Sequence, residues 1–203
     1  MKNKLDELRT LAWITSGSRY NAARRLARKE LISTSSLSFF SAICIILAFY
    51  QKIYSPITPE KTQIIDISSI IISIFVLTIS LIEWGNRSST KSETLYENAE
   101  KLNAFHRKIN ILKDDEDLSQ EKMIKLQNEY DLIKSMIRVN HKPIDYEYFM
   151  AEKRFASEFL RKDGTPKISE EDAQATKFIW FLSDLYLYII FWIITIIFII
   201  KII

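Results

Sequence analysis

Three long apolar segments interrupt this chain of 203 residues, and they restrict its fold more than any other feature of the sequence. They lie at residues 31–50, 64–84 and 179–200. A helix needs about 20 mostly apolar residues to cross the hydrocarbon core of a bilayer, and all three segments reach that length. Residues 185–200 contain no charged side chain, whereas a helix of a soluble protein is rarely apolar on every side. The sequence therefore predicts three transmembrane helices.

Few residues of the chain favour breaks in a helix. It contains three Gly and four Pro, and the Ile-rich segments are longer than ordinary strands. We therefore predict an all-α membrane protein with a transmembrane helical hairpin, a cytoplasmic helical bundle and a carboxyl-terminal third transmembrane helix. The predicted domains are a basic amphipathic juxtamembrane helix at residues 1–30, the transmembrane hairpin at residues 31–84, a cytoplasmic helical domain at residues 85–177 and the third transmembrane helix at residues 178–203.

Basic residues are concentrated before the first apolar segment. Residues 1–30 hold eight Lys and Arg against three acidic residues, while Lys52 and Lys61 are the only basic residues between the first two segments. Lys and Arg near the ends of membrane spans favour the cytoplasmic side. We therefore expect a cytoplasmic amino terminus, a cytoplasmic segment between the second and third spans, and a carboxyl terminus outside.

The juxtamembrane region combines arginines with an aromatic residue. The pattern predicts helices on both sides of Ser16-Gly17-Ser18, the second of them capped by Ser18 and continuing into the first span. Anionic lipid attracts basic side chains near the bilayer surface, and Trp favours the membrane–water interface. The side chains predicted to face lipid are those of Trp13, Arg19, Arg24, Arg25 and Arg28. Nucleic-acid binding by the same arginines is an alternative that a basic segment beside a span favours less.

Apolar residues at steps of three and four predict packed helices between the second and third spans. The two seams are Leu95, Ala99, Leu102, His106 and Ile109, followed by Met123, Leu126, Tyr130, Ile133 and Ile137. The acidic residues 114–117 are predicted to form the turn of an antiparallel hairpin, with Asp117 at the start of its second helix. A third helix is expected at residues 145–162. A fourth, which begins at a capping pair of Ser169 and Asp172, is expected to continue into the third span.

No pattern in the sequence indicates catalysis. Gly-rich phosphate loops, nucleophile elbows, paired-cysteine metal motifs and HExxH are missing from it. His106 on a helix seam and His141 near a turn are more typical of structural roles, and Cys44 in the first span is typical of packing. The acidic residues 114–117 lack the alternating ligands and the glycine of a calcium loop. We therefore predict that the protein is not an enzyme and has no catalytic residue, metal or cofactor.

Polar side chains share one face of each predicted span when the span is drawn with 3.6 residues per turn. The second span has Thr62, Asp66, Ser69, Ser73, Ser80 and Glu83; the first has Thr34, Ser38, Ser41 and Ala48; the third has Asp184, Tyr188 and Thr195. Two interpretations stay open. Small residues at four-residue spacing let membrane helices approach closely, whereas ionisable groups in spans usually face a bundle interior or a water-filled cavity.

The candidate residues for a pore or a helix seam follow from these faces. They are Thr34, Ser38, Ser41, Asp66, Ser69, Ser73, Ser80, Glu83 and Asp184. Asp66 and Glu83 lie near the two ends of their span, where a charge costs less than at the bilayer centre. One chain has too few spans to enclose a channel, so a pore would require an oligomer.

Several segments of the chain resemble those of a known family. They are LAWITSGSRYNAARRL before the Ser-rich first span, SLIEWGNRSSTKSETLYENAEKL at the end of the second span, and NHKPIDYEYFMAE in the following helical region. In their order they resemble the SLATT family, the SMODS and SLOG-associating two-transmembrane effector domains, over most of the chain. Within that family the chain is most similar to the subgroup associated with reverse transcriptases. Its third span is an addition to the two-span core of the family.

The resemblance implies a bacterial inner-membrane effector of an antiphage or conflict system. Such an effector oligomerises and forms a regulated pore that depolarises the membrane, causing growth arrest or cell death. The implied partners are membrane lipids, further copies of the chain, and a sensor from a neighbouring gene, such as a reverse transcriptase or a nucleotide-signalling protein. The main alternative is a non-conducting membrane anchor or scaffold for a partner defence enzyme. A small transporter is a further alternative, although it usually needs broken helices at the bilayer midplane.

Overall fold

The computed structural model describes residues 2–53, 58–112 and 119–202, and these ranges are almost entirely helical. The helices are α1 (Lys2–Ile53), α2 (Pro59–Asn86), α3 (Ser88–Leu112), α4 (Gln120–Ser135), α5 (Pro143–Glu152), α6 (Glu170–Leu182) and α7 (Tyr186–Ile202), with a 3₁₀-helix at Ser157–Phe159. Within these ranges there is no strand, only an isolated antiparallel bridge between Leu160 and Pro166. The predicted all-α fold class is confirmed.

The chain divides into two compact units. The first, here the helical unit, consists of Met1–Leu26 and Ser89–Ser183. The second, here the membrane unit, consists of Ala27–Ser88 and Asp184–Ile203. The amino-terminal half of α1, which the sequence set apart as a juxtamembrane helix, is thus part of the same compact unit as α3 to α6.

The core of the helical unit lies where α1, α3 and α4 pack together. Leu8 of α1, Leu102 and Ile109 of α3 and Leu126 of α4 are nearly inaccessible to solvent and belong to one cluster. Full burial of such a side chain stabilises a fold by about 1.5–3 kcal/mol. Both predicted seams contribute to this core, so the periodicity identified the packed faces of α3 and α4 correctly.

Helix α4, the second helix of the predicted hairpin, begins later than predicted. Its cap is Ser119, whose side-chain oxygen accepts a hydrogen bond from the Lys122 N–H at 3.2 Å. The acidic residues 114–117, including Asp117, lie outside the described residues, so the predicted turn stays a prediction. Helix α6 does begin as expected: Ser169 Oγ accepts from the Asp172 N–H at 3.0 Å.

Helix α1 is continuous through Ser16-Gly17-Ser18, so the predicted break there is wrong. Instead of capping a helix, the Ser18 hydroxyl donates to the Ile14 carbonyl at 2.9 Å. Gly17 is required by packing: a Cβ built on it would lie 2.1 Å from a ring carbon of Phe149. The glycine lets the Phe149 ring of α5 lie directly against the α1 backbone.

Two other helices end earlier than expected. Helix α5 stops at Glu152, ten residues before the predicted end at residue 162. Helix α6 stops at Leu182, and α7 starts only at Tyr186. Between them Asp184 has a φ of 66°, a left-handed conformation that an α-helix cannot contain. The predicted third helix at residues 178–203 is therefore broken at 183–185, and Asp184 does not share a helical face with Tyr188.

The membrane unit contains the apolar segments of α1 and α2 together with α7. By length and composition, two helices can cross a membrane, α1 and the stretch Pro59–Leu112, while α6 and α7 make a third span only if the bent pair is counted as one. Aromatic rings fill the centre of this unit. Phe75 and Phe191 stack with centroids 3.4 Å apart, and the ring of Phe40, which is fully buried, lies 5.0 Å from that of Phe191.

Candidate functional site

The described ranges offer no cluster of three His, Cys, Asp or Glu side chains that could hold a metal ion. Burial and, to a smaller extent, the positive charge of Arg9 lower the pKa of His106 below its ordinary value. Burial and, to a smaller extent, the positive charge of Arg19 likewise lower the pKa of His141. The predicted polar faces in the membrane unit remain as the candidate site.

The polar stripe of α2 lies beside α1. Cys44, one turn after Ser41 on the same face of α1, places its Sγ 3.7 Å from Ser73 Oγ. Two turns further along α1 and two turns back along α2, Gln51 Nε2 donates to Asp66 Oδ1 at 2.8 Å. Cys44 and Gln51 of α1 thus lie against the α2 stripe. The α1 stripe and the rest of the α2 stripe are together called the polar edge here. Its members are Thr34, Ser38, Ser41, Asp66, Ser69, Ser73 and Ser80.

Much of the polar edge is open to the surroundings of the chain. Thr34, Ser38, Ser41, Asp66 and Ser73 are exposed, and Ser69 and Ser80 are half-buried. Several of the hydroxyls are nevertheless hydrogen-bonded within their own helix. Ser38 Oγ donates to the Thr34 carbonyl at 2.9 Å, and Ser41 Oγ donates to the Leu37 carbonyl at 2.8 Å. Such bonds to the preceding turn let hydroxyls lie in an apolar environment, and they leave narrow faces that a second helix can approach.

Glu83 belongs to a different polar group, here called the Glu83 cluster, which consists of Lys29, Ser33, Glu83 and Tyr188. Lys29 Nζ lies 2.9 Å from Glu83 Oε1. The Tyr188 hydroxyl lies 2.7 Å from the same carboxylate oxygen and 2.9 Å from Ser33 Oγ. Glu83, the last residue of the predicted α2 stripe, is therefore separate from the polar edge. Its cluster joins α1, α2 and α7 through an ion pair and hydrogen bonds.

Helix α7 makes a second polar contact with α1 that the sequence did not reveal. Trp192 Nε1 donates to Ser36 Oγ at 3.0 Å. Ser33 and Ser36 are each 2% exposed, whereas the neighbouring Thr34 and Ser38 are exposed. The signal for this face was present in the sequence: Ser33, Ser36 and Phe40 repeat at steps of three and four. Hydroxyl residues lie on both faces of this segment, so their spacing alone does not identify the face that α7 covers.

Two of the side chains predicted to face lipid, Arg19 and Arg25, are buried inside the helical unit instead. Trp13 lies against Phe149 of α5, with ring centroids 4.8 Å apart. Arg19 is 3% exposed and Arg25 is 2% exposed. The predictions for Arg19 and Arg25 are wrong because α3 and α5 cover these two side chains. Trp13 is half-buried, so its contact with lipid stays a prediction. Arg24 is exposed and Arg28 is half-buried, so for these two lipid contact stays a prediction.

Arg19 is held by neutral groups. Its guanidinium hydrogen-bonds the Asn98 side-chain oxygen of α3 and donates to the Lys134 carbonyl at 3.2 Å. Burial lowers the pKa of Arg19 below its ordinary value. The amide of Asn98 also donates to the Ile133 carbonyl at 2.7 Å, so Asn98 connects α1 and α3 with α4.

Arg25 forms a buried ion pair with Asp145, which is fully buried. Arg25 Nε and Nη2 lie 2.9 Å from Asp145 Oδ1 and Oδ2. Trp180 Nε1 of α6 donates to Oδ1 at 3.0 Å, and the Lys142 N–H donates to Oδ2 at 2.8 Å. This group, here called the Asp145 cluster, joins α1, α5 and α6. A carboxylate with this many donors is a strong, fully satisfied hydrogen-bonding centre.

Comparison with known proteins agrees with this two-span arrangement. The sequence profile of one family, described as SMODS and SLOG-associating 2TM effector domain family 5, matches residues 1–203. No curated protein and no solved structure matches the chain. The narrower assignment to the subgroup associated with reverse transcriptases stays a prediction. Since the match covers the whole sequence, the chain belongs to the SMODS and SLOG-associating 2TM effector domain family 5.

Proposed function

We propose that this protein is an effector of a bacterial antiphage or conflict system that oligomerises in the inner membrane and forms a regulated pore. Family membership supports a membrane effector role in conflict systems and an association with SMODS or SLOG proteins of a general kind. Depolarisation, followed by growth arrest or cell death, is the proposed outcome. The protein performs this role without a catalytic reaction or a cofactor. Its amino terminus is proposed to be cytoplasmic and its carboxyl terminus outside.

The polar edge is the observation that carries the pore proposal. The polar edge combines hydroxyls of α1 with the stripe of α2, which α1 contacts through Cys44 at Ser73 and through Gln51 at Asp66. That surface is exposed in the single chain, although it lies within the segments that cross the bilayer. Hydroxyls and a carboxylate favour water or polar partners over lipid tails. Several copies that turn their polar edges toward a common axis would line a wet path.

A non-conducting scaffold is the second candidate function. It is favoured by the hydrogen bonds of Ser38, Ser41 and Ser80, which all donate to carbonyls of their own helix. Hydroxyls satisfied in this way do not need water, and the polar edge would then be a dry helix seam. In that role the protein would hold a partner enzyme at the membrane.

Replacement of Ser69, Ser73 and Ser80 together by Leu distinguishes the two functions. Thr78→Leu is the control, because Thr78 is an exposed hydroxyl of α2 outside the polar edge. Membrane potential and propidium uptake are recorded in bacteria after induced expression, with and without the neighbouring genes and during phage challenge. A pore predicts collapse of the potential before growth stops, abolished by the triple variant and retained by the control.

The scaffold predicts a different pattern. Membrane potential would hold in every combination of genes, and the triple variant would keep its partner and its protective effect. Folding of each variant is checked by its helical circular dichroism in detergent. A potential that stays constant throughout, with intact protein in the membrane, contradicts the pore.

A further inference from the structure

Helix α6 changes character along its length. Its first turn carries Glu170, Glu171 and Asp172, all of them exposed. Its last turns carry Phe178, which is 64% exposed, and Ile179, which is 58% exposed. Large apolar side chains this exposed, on a helix with an acidic beginning, indicate that the two ends of α6 lie in different surroundings.

The opposite side of the same turn is fixed within the helical unit. Trp180 is 5% exposed and donates its indole N–H to Asp145 at 3.0 Å. Its ring stacks on that of Tyr148, with centroids 4.0 Å apart. A side chain held on that side orients the backbone of the turn, so Phe178 and Ile179 point outward from an ordered helix. Their exposure is therefore built into the fold.

Chain connectivity places this turn near the bilayer. Only residues 183–185 separate α6 from α7, and an extended residue spans at most about 3.6 Å. Helix α7 has 17 residues, which corresponds to about 25 Å at 1.5 Å per residue. The hydrocarbon core is about 30 Å thick. If α7 crosses that core, its first residues lie at or near the membrane–water boundary, and the three-residue connection keeps the end of α6 close to the same boundary.

We propose that the last turn of α6 is an interfacial anchor, in which Phe178 and Ile179 insert at the boundary between headgroups and acyl chains. Lys177 is exposed next to them and interacts with the phosphates of anionic lipid, as basic residues near a membrane surface do. The acidic first turn remains in water. Lipid contact is thus assigned to α6, in place of the buried Arg19 and Arg25.

The anchor is directly connected to the Asp145 cluster. Ile179 and Trp180 are consecutive residues, so one helical turn contacts lipid on one side and donates to Asp145 on the other. A displacement of the turn relative to the bilayer would act on the Trp180 hydrogen bond and on the ion pair between Arg25 and Asp145. Through these two contacts, a change at the membrane surface would reach the core of the helical unit.

Spin labels on the full-length protein test the anchor. In a Cys44→Ala background, single cysteines replace Phe178, Ile179 or Gln174, and the labelled proteins are placed in vesicles of phosphatidylcholine with phosphatidylglycerol. Gln174 is the matched control, because it lies one turn before Phe178 on the same face and is also exposed. Collision rates of each nitroxide with oxygen and with a water-soluble nickel complex are compared.

The anchor predicts that labels at 178 and 179 collide more with oxygen than with nickel, and that the label at 174 shows the reverse. Equal nickel access at 174 and 178 would place the turn in water and overturn the proposal. Protection of 178 from both reagents would mean that protein covers the turn, which also overturns it. Labelling with a water-soluble maleimide gives a second measurement: 174 should react faster than 178. Neither measurement depends on conduction, so failure of the pore proposal would leave the result intact.

Discussion

Two positions of the helical unit, Gly17 and Asp145, are restricted by close packing and by hydrogen bonding. Gly17 leaves room for the ring of Phe149, and Asp145 accepts hydrogen bonds from Arg25, Trp180 and the Lys142 N–H. Close packing leaves no space for added atoms, and a buried charge needs its full set of partners. These two positions should therefore be among the least tolerant of substitution.

Gly17→Ala is expected to destabilise the protein despite the higher helix propensity of Ala. The new Cβ would lie 2.1 Å from the ring of Phe149, and that ring is itself held by Trp13 and Phe159. Overpacking of this kind typically costs about 1–3 kcal/mol. Thermal unfolding in detergent, followed by circular dichroism, measures the change.

Gly85→Ala is the matched control for that substitution. Gly85 lies in α2 near its end, and no atom is within 4 Å of the Cβ position. The melting temperature should remain equal or rise, because Ala is favoured over Gly in a helix by about 1 kcal/mol. Equal effects of the two substitutions would mean that contact with Phe149 does not explain the glycine.

Asp145→Asn is expected to leave Arg25 charged, buried and without its carboxylate. Loss of one partner of a buried ion pair commonly costs about 3–5 kcal/mol. Glu152→Gln removes a carboxylate from the ion pair with Arg24, where both side chains are partly exposed, and should cost less than about 1 kcal/mol. Denaturant unfolding of the two variants compares the costs, and a similar small loss for both would contradict the role assigned to Asp145.

At the scale of whole elements, α7 is attached to α1 and α2 by polar contacts inside an apolar core. Tyr188→Phe removes only the hydroxyl that lies within hydrogen-bonding distance of Glu83 and Ser33. Because the Glu83 carboxylate is half-buried, loss of this partner is expected to destabilise the membrane unit by about 1–3 kcal/mol. Protection of α7 from protease in detergent should fall.

Tyr186→Phe provides the comparison for α7. Tyr186 is 61% exposed on the same helix, so removal of its hydroxyl should leave protease protection unchanged. If Tyr188→Phe and Tyr186→Phe are cleaved at the same rate, the Glu83 cluster does not hold α7 in place.

The regular helices and their packed faces could be predicted from the sequence, because burial imposes a period of three to four residues. Leu95, Leu102 and Leu126 were all assigned to a core and are buried. Interruptions were harder to predict. Ser16-Gly17-Ser18 has the composition of a break but is helical. Gly17 is there because the ring of Phe149, 132 residues away, packs against the helix backbone. The break at Asp184 has no Gly or Pro, and a single Asp tolerates a left-handed φ without predicting one.

The polar residues of the spans could be predicted only as a group. Helical spacing identified Thr34, Ser38 and Ser73, but it does not say which polar face another helix covers. Glu83 joins a cluster with Lys29 and Tyr188 only because α7 packs there, and Tyr188 lies 105 residues further along the chain. The arginines were misplaced for the same reason: the acid that pairs with Arg25 is distant in sequence.

For the whole molecule, the number of membrane crossings depends on the bent pair of α6 and α7. Two helices qualify as spans without it, and a third is obtained only if the pair counts as one. If the end of α6 lies at the interface and α7 supplies about 25 Å, the chain crosses three times. A carboxyl terminus on the outer side follows from an amino terminus on the cytoplasmic side.

Reporter fusions decide between two and three crossings. Alkaline phosphatase, active only outside, and a fluorescent protein, bright only inside, are joined after Ile53, after Leu112 and after the last residue. Three crossings predict phosphatase activity after Ile53 and at the carboxyl terminus, and fluorescence after Leu112. Because the first two junctions lie on either side of α2, they calibrate both reporters in the same chain. A bright carboxyl-terminal fusion without phosphatase activity would mean that α7 returns to the inner side, and the predicted third crossing would be wrong.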